Sequence, residues 1–414
     1  MFDIETDVAV LGAGPGGTTA SIFLSKAGIK HHIFDKATFP RDKICGDALS
    51  GKVGAVLNKI DPQIVYELDK HPDYTNCWGV QFIAPNGMAL DIPFNKDKSV
   101  QKYAPGFISK RMNFDNFMVS KLDETFAVRK FACTIKDVKQ TPQHIEITYN
   151  ENGQDKICAA KMVIGAEGDR SLVAKKLAGH KMNPHYYAAG LRAYYENVSG
   201  MHPQNFIELH YIQETLPGYL WVFPLPDNQA NVGIGLLSSK VKTKNIRLKE
   251  MMLNALEKNP GLKERFKNAR IVDDIKGWGL PLGSVKRSLS GERYLLVGDA
   301  GSLIDPFTGE GIGNAMVSGK FAAETTVEAL TKNNFSAEFL KNYDTNVYNK
   351  LWNELKLSYT IQRLLNRPWL FNFVANRAVK NKTIRETMSC MFDDLNMRAK
   401  LKSPAFYFKL LFNL

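Results

Sequence analysis

Residues Asp7 to Leu11, DVAVL, run straight into GAGPGG and then into TTASIFLSKAG, whose apolar residues recur at helical spacing. This order predicts strand, tight turn and helix. Gly12, Gly14 and Gly17 form G-x-G-x-x-G, with Pro15 and Gly16 inside it. The first glycine permits the turn, the second lets a pyrophosphate approach the backbone, and the third lets the helix lie against the strand. The start of the helix then faces the phosphate charge. After Gly28, HHIFD reads as a second strand ending in Asp35, followed by Lys36. An acid there accepts the adenosine ribose hydroxyls. A chain with this opening is expected to build an α/β dinucleotide-binding unit, and NAD and FAD both use it.

The choice between them falls to a second segment, RYLLVGDAGSLIDPFTGEGIGNAMVSGKFAAE. It predicts a strand over Tyr294 to Val297, a loop from Gly298-Asp299, and a helix of small residues starting near Gly309. Asp299 at a strand end suits the ribitol hydroxyls of a long cofactor. Amides near Gly311 and Ile312, at the start of the next helix, suit negative charge on a reduced flavin ring. The alternative for Asp299 is an ordinary turn or cap residue.

GAGPGG, then GAEGDRS at 165–171, then GDAGSLIDPFTGEGI at 298–312 resemble the three flavin motifs of the p-hydroxybenzoate hydroxylase-like flavoproteins. Their order and spacing span about the first 330 residues. The resemblance implies FAD, with Gly168 in the middle motif. That motif usually reads Gly-Ala-Asp-Gly, and Glu167 stands here in place of the aspartate. Arg111 in SKRMNFDNF matches a family arginine near the cofactor; a helix-surface salt bridge is its other reading.

Within that superfamily, Tyr219, Trp221, Phe223 and Pro224, then eight residues, then Gly233 and Gly235 match the YxWxFP…GxG pattern of geranylgeranyl reductases and their relatives. On a strand, Tyr219, Trp221 and Phe223 project from one face and wall either a substrate pocket or a packed sheet. FPRDKICGDALSG adds a Cys-Gly pair, Cys45 and Gly46. The resemblance implies saturation of isoprenoid double bonds: a hydride from reduced flavin at one carbon, a proton at the other. Cys45 and Tyr219 are the candidate proton donors, with Gly46 allowing close approach. Arg41 and Lys43 bind a diphosphate or the cofactor pyrophosphate, or are exposed charges.

Flavin-dependent halogenases carry WxWxIP where this chain has YLWVFP, and CGDALSG differs from their glycine-glutamate segment, so halogenation is disfavoured. Hydroxylation of an aromatic or lipophilic small molecule stays open. A non-catalytic flavin-binding membrane-recruitment module is the remaining class. No second G-x-G-x-x-G occurs in strand-turn-helix context, so NAD(P)H or another reductant is expected as a transient electron donor without its own domain.

With 414 residues, 44% of them hydrophobic, the chain is expected to form two or three substructures around large cores. The fold class expected is α/β: a discontinuous Rossmann-like FAD-binding domain (1–74, 106–180 and 277–345), an inserted antiparallel-sheet substrate domain (75–105 and 181–276) and a C-terminal helical cap (346–414). Charges interrupt every apolar run of about 20 residues, so no transmembrane helix is expected. The acidic start MFDIETD lacks a secretory pattern, which predicts a cytoplasmic protein. Five scattered cysteines without a CxxC pair disfavour disulfides and thiolate zinc, and no metal is expected.

The net charge of +12 favours anionic partners. From Leu351 onward, 11 Lys and Arg stand against 4 acids, among Trp369, Phe371, Phe373, Phe406, Tyr407, Phe408 and Phe412. That tail suits peripheral contact with the inner face of a membrane, or a helical cap with a solvated basic face. The expected partner is a lipophilic small-molecule substrate and not nucleic acid.

Overall fold

A computed structural model describes residues 2–94 and 103–366, with 369, 372 and 376. The described chain divides into two compact units, one from 2–43, 111–187 and 279–359, the other from 44–110, 188–278 and residues from 360 onward.

The first unit is built on a parallel sheet. Strand β1 (Ile4–Leu11) is half-exposed at its start and fully buried over its last four residues, the pattern of a strand covered on both faces. Helix α1 (Pro15–Lys26) and strand β2 (His31–Phe34) follow as the sequence predicts. The sheet order is Tyr294–Leu296, Gln154–Gly165, β1, β2 and Ala127–Lys130, each neighbour parallel to the next. Leu11 is level with Gly165 and Phe34, and Gly165 with Leu296. Four strands therefore end together at one sheet edge, where α/β sheets bind their ligands.

Close helix packing keeps that edge in place. A Cβ on Gly319, in the helix Ile312–Thr331, would lie 2.2 Å from the Gly16 carbonyl oxygen of α1. Tyr343, on the helix Ala337–Leu364, donates to the Leu296 carbonyl at 2.7 Å. Burial pushes its phenol well above the ordinary range, so it remains a donor.

The second unit carries a larger sheet, ordered Arg270–Ile271, Tyr187–Glu196, Gln229–Leu237, Tyr219–Pro224, Ile207–His210, Gly79–Ile83 and Ala89–Pro93. Its pairings along that order are antiparallel except Ile207–His210 with Gly79–Ile83, which are parallel, so the expected antiparallel sheet is mixed at one point. Leu220 and Val222 share a core with Leu248, Met252 and Leu256 of the helix Leu248–Lys258. Alternation sends Tyr219, Trp221 and Phe223 to the opposite face. Arg265 meets Glu208 with two bonds of 2.6 and 2.8 Å, and His210 lies 2.9 Å from the same carboxylate. This ion cluster ties the helix Pro260–Phe266 to the sheet.

Boundaries differ from those expected: residues 181–187 fall in the first unit and 277–278 in the second, and two longer segments also change place. Residues 44–74 and 106–110 belong to the second unit because Ala48–Leu49 and Thr75–Cys77 both pair with Gly106–Ile108. Residues 346–359, assigned to the cap, continue the helix Ala337–Leu364 and belong to the first. Trp369 is exposed, whereas Phe371, Phe373, Phe406, Tyr407, Phe408 and Phe412 lie outside the described residues. Among the described residues, no helix is long and apolar enough to cross a membrane.

Candidate functional site

The first unit assembles its site from the glycine turn outward. Gly12 has φ +101°, and a Cβ there would lie 2.3 Å from the Ala166 carbonyl oxygen. A Cβ on Gly17 would lie 1.8 Å from the Gly12 carbonyl oxygen, so strand end and helix start touch. Gly14 differs: the nearest group to its Cβ position is an Arg41 guanidinium nitrogen at 3.9 Å. The α1 N-terminus, with Pro15 and Gly16 in its first turn, has neither a side-chain cap nor an acidic residue there. This open cradle fits a phosphate group. Asp35 accepts the Ala13 amide at 2.8 Å and the Ala37 amide at 2.9 Å, which fixes its carboxylate beside the turn. Lys36 is exposed.

A buried carboxylate organises the cations nearby. Asp115 accepts Nε and Nη2 of Arg111 and Nη1 of Arg41, all at 2.7 Å. Arg111 is itself buried, so its ion pair with Asp115 is an interior one and not the helix-surface salt bridge of the alternative reading. One carboxylate thus gathers two guanidiniums beside the turn. Asp115→Asn should cost about 3 kcal/mol, because it takes the Asp115 counter-charge from the buried Arg111 and the half-buried Arg41. Chemical denaturation would read this as a lowered midpoint for the unit, and an unchanged midpoint would contradict it.

The third motif closes the same edge. Gly298–Gly301 forms a 3-10 turn after Tyr294–Leu296. A Cβ on Gly311 would lie 3.7 Å from an Asp299 carboxylate oxygen, so Asp299 faces the start of the helix Ile312–Thr331. Burial raises the Asp299 carboxyl above its usual range, while Lys43 and Arg111 pull it down. Gly309 has φ +75°, and Asp305 accepts the Phe307 and Thr308 amides in the same loop. Glu310 takes the Gly313 amide at 2.6 Å, so not every amide at that helix start awaits an anion.

Glu167, the departure from the middle motif, caps the helix that follows it. It accepts the Ser171 hydroxyl at 2.7 Å and the Leu172 and Val173 amides at 3.1 and 3.3 Å. The longer side chain serves the helix Leu172–Lys176 directly. Gly168 next to it has φ +79°.

The second unit brings together two motifs that lie far apart in the chain. Tyr219, Trp221 and Phe223 form a row of rings, with successive centroids 6.2 and 6.3 Å apart, and Pro224 ends the strand. Trp221 is in register with Gly233, where a Cβ would lie 2.1 Å from the indole. Gly233 thus seats the tryptophan against its own strand. A Cβ on Gly46 would lie 2.9 Å from Phe223 and 3.6 Å from the Trp221 nitrogen, so Cys-Gly and YxWxFP meet. Cys45 is half-buried and not disulfide-bonded.

Residues 189–278 match the geranylgeranyl reductase catalytic domain, and residues 5–60 match an FAD binding domain. Digeranylgeranylglycerophospholipid reductase 1 of Methanopyrus kandleri is 30% identical over 347 residues, 82% of this chain and 85% of that protein. The chain belongs to the geranylgeranyl reductase family. As in that family, FAD is the cofactor and the activity is that of an FAD-dependent oxidoreductase. Two solved structures share the fold of this reductase-family chain. A geranylgeranyl bacteriochlorophyll reductase-like protein from Thermoplasma acidophilum has a TM-score of 0.79 at 24% identity, covering 91% of this chain and 92% of that one. The flavin-dependent brominase Bmp2 has a TM-score of 0.79 at 19% identity, covering 98% of each. Backbone likeness therefore does not separate a reductase from a brominase, and sequence kinship to reductases does.

Sequence reasoning missed Asp115, Asp47, Tyr194 and Asn231 in this family member. Asp115 stands four residues after Arg111, a helical pairing distance that was available to notice. Asn231 interrupts an apolar strand between Ala230 and Val232, which is the mark of a buried polar group with partners elsewhere.

Proposed function

We propose that this chain reduces carbon-carbon double bonds of an isoprenoid or other long-chain lipid-like substrate. The observation that carries the reading is the convergence of Gly46 on the Trp221 and Phe223 rings, which joins both reductase motifs in one place. When bound, reduced FAD supplies the hydride equivalent for such a reduction. In this reading Gly12, Gly14, Pro15, Gly16 and Gly17 hold its pyrophosphate, assisted by Arg41 and Arg111. Asp35, with Lys36, serves the adenosine end; Gly168, Asp299, Gly309, Gly311 and Ile312 serve the ribitol and ring end.

Tyr219, Trp221, Phe223, Pro224 and Gly233 receive the apolar chain, whose burial on aromatic faces is favourable without fixing its head group. Cys45 or Tyr219 delivers the proton that completes saturation, and Cys45 and Gly46 border the cofactor. NAD(P)H or another reductant donates electrons transiently. The basic C-terminal region makes peripheral membrane contact, which suits a membrane-borne substrate.

The test combines one variant with two readouts. Cys45→Ala should keep the yellow holoprotein and slow alkene reduction by about a hundredfold or more, the range for loss of a general acid. Unchanged turnover removes Cys45 from the mechanism. In stopped-flow oxidation, substrate-dependent reoxidation without oxygen is expected, and a long-lived hydroperoxide absorbance would favour a hydroxylase instead.

A further inference from the structure

The Cys45 loop and the Trp221 ring are held by the same side chain. Asn231 donates through Nδ2 to the Cys45 carbonyl at 2.7 Å and to Asp47 Oδ2 at 2.8 Å. Its Oδ1 accepts the Trp221 indole N–H at 2.8 Å. Only one orientation of the amide supplies two donors toward the loop and one acceptor toward the indole. Asp47 Oδ2 also accepts the Tyr194 hydroxyl at 2.7 Å. The Tyr194 ring has Arg192 4.0 Å from its centroid and Lys110 at 4.9 Å.

Asp47 and Asn231 are fully buried. Asp47 has φ +70°, a left-handed conformation that costs energy in a non-glycine residue and persists only where surroundings enforce it. Its own carbonyl accepts the Ser109 amide, which anchors the far side of the loop. The backbone immediately after Cys45 is thus constrained by a strained residue, a buried amide and a phenol.

We propose that Asn231 and Asp47 are positioning residues that hold the Cys45 backbone and the Trp221 indole in one fixed relation, with Tyr194 locking Asp47. Asn231 is the coupling element, because it bonds both the loop and the ring. Its kinetic consequence rests on the roles proposed above for Cys45 and Trp221; its conformational consequence does not.

The experiment is timed alkylation of the holoenzyme by iodoacetamide, with each cysteine-containing peptide quantified by mass spectrometry. Cys77, Cys133 and Cys158 are buried and report global opening. Asn231→Leu should raise the Cys45 rate by about tenfold, the factor for losing a hydrogen bond of ordinary strength, while those three cysteines change less than twofold. A purely structural role predicts that all four accelerate together, and that result overturns the proposal, as does an unchanged Cys45 rate. If Asn231→Leu does not fold, Trp221→Phe decides by the same criteria, because it removes the indole N–H and keeps an aromatic ring. Turnover of a prenyl lipid by Asn231→Leu should fall about tenfold at unchanged flavin content. Wild-type protein that never reduces such a lipid would sink the functional reading while leaving the alkylation result to stand on its own.

Discussion

Gly17→Ala is expected to yield a protein that purifies without colour and unfolds early. The added methyl would sit 1.8 Å from the Gly12 carbonyl oxygen and 3.2 Å from the Ala166 Cβ, and neither is the end of a flexible side chain. The helix must lift off the strand end, which moves the turn and the α1 N-terminus together. Overpacking of this kind costs about 3 kcal/mol. Gly14→Ala provides the contrast, because its methyl meets only Arg41 at 3.9 Å and the residue sits at an ordinary φ of −76°. It should leave stability intact and weaken FAD by about tenfold or more, since the methyl occupies the space through which a pyrophosphate reaches the backbone. The flavin-to-protein absorbance ratio and FAD titration of apoprotein read both variants. Full flavin retention in Gly14→Ala would mean that the pyrophosphate lies elsewhere.

The first 35 residues were legible because their constraints are local. A covered parallel strand must be apolar, a tight turn must use glycine, and the acid must follow the next strand at a set distance. The motifs at Gly168 and Asp299 were equally readable as sequence, and the sheet order explains why. They follow the next two strands of the sheet beyond β1, so segments well over a hundred residues apart end at one edge.

What stayed hidden depends on partners distant in sequence. Arg41 finds Asp115 after 74 residues, and Asn231 reaches Cys45 across 186. Nothing in the neighbourhood of either residue announces that partner. The same limit displaced residues 44–74 from their expected unit, because Ala48 and Leu49 pair with residues near 108 and not with the sheet they follow. Glu167 reads as a defect in a flavin motif until its bonds to Ser171, Leu172 and Val173 show it capping the next helix.

Replacing Gly233 with alanine should damage the reductase far more than the same change at Gly235, although both belong to one GxG pair. At Gly233 the methyl would lie 2.1 Å from the Trp221 indole and 2.3 Å from the Leu191 carbonyl oxygen on the neighbouring strand. The backbone oxygen cannot yield without breaking the sheet ladder, so the indole must leave its seat. Displacing it also removes its bond to Asn231 and its packing beside Gly46. A cost of about 2 to 4 kcal/mol is expected for overpacking plus the lost hydrogen bond, with turnover down at least about tenfold. At Gly235 the methyl would meet Trp221 at 3.8 Å, an ordinary contact, and both stability and turnover should stay within about twofold of the parent. Flavin content should be unchanged in both, because the glycine turn that carries the phosphate cradle lies in the other unit. Denaturation midpoints, flavin ratio and prenyl-lipid turnover measured side by side decide the matter. Equal behaviour of the two variants would show that the seat of Trp221 has no part in the reaction.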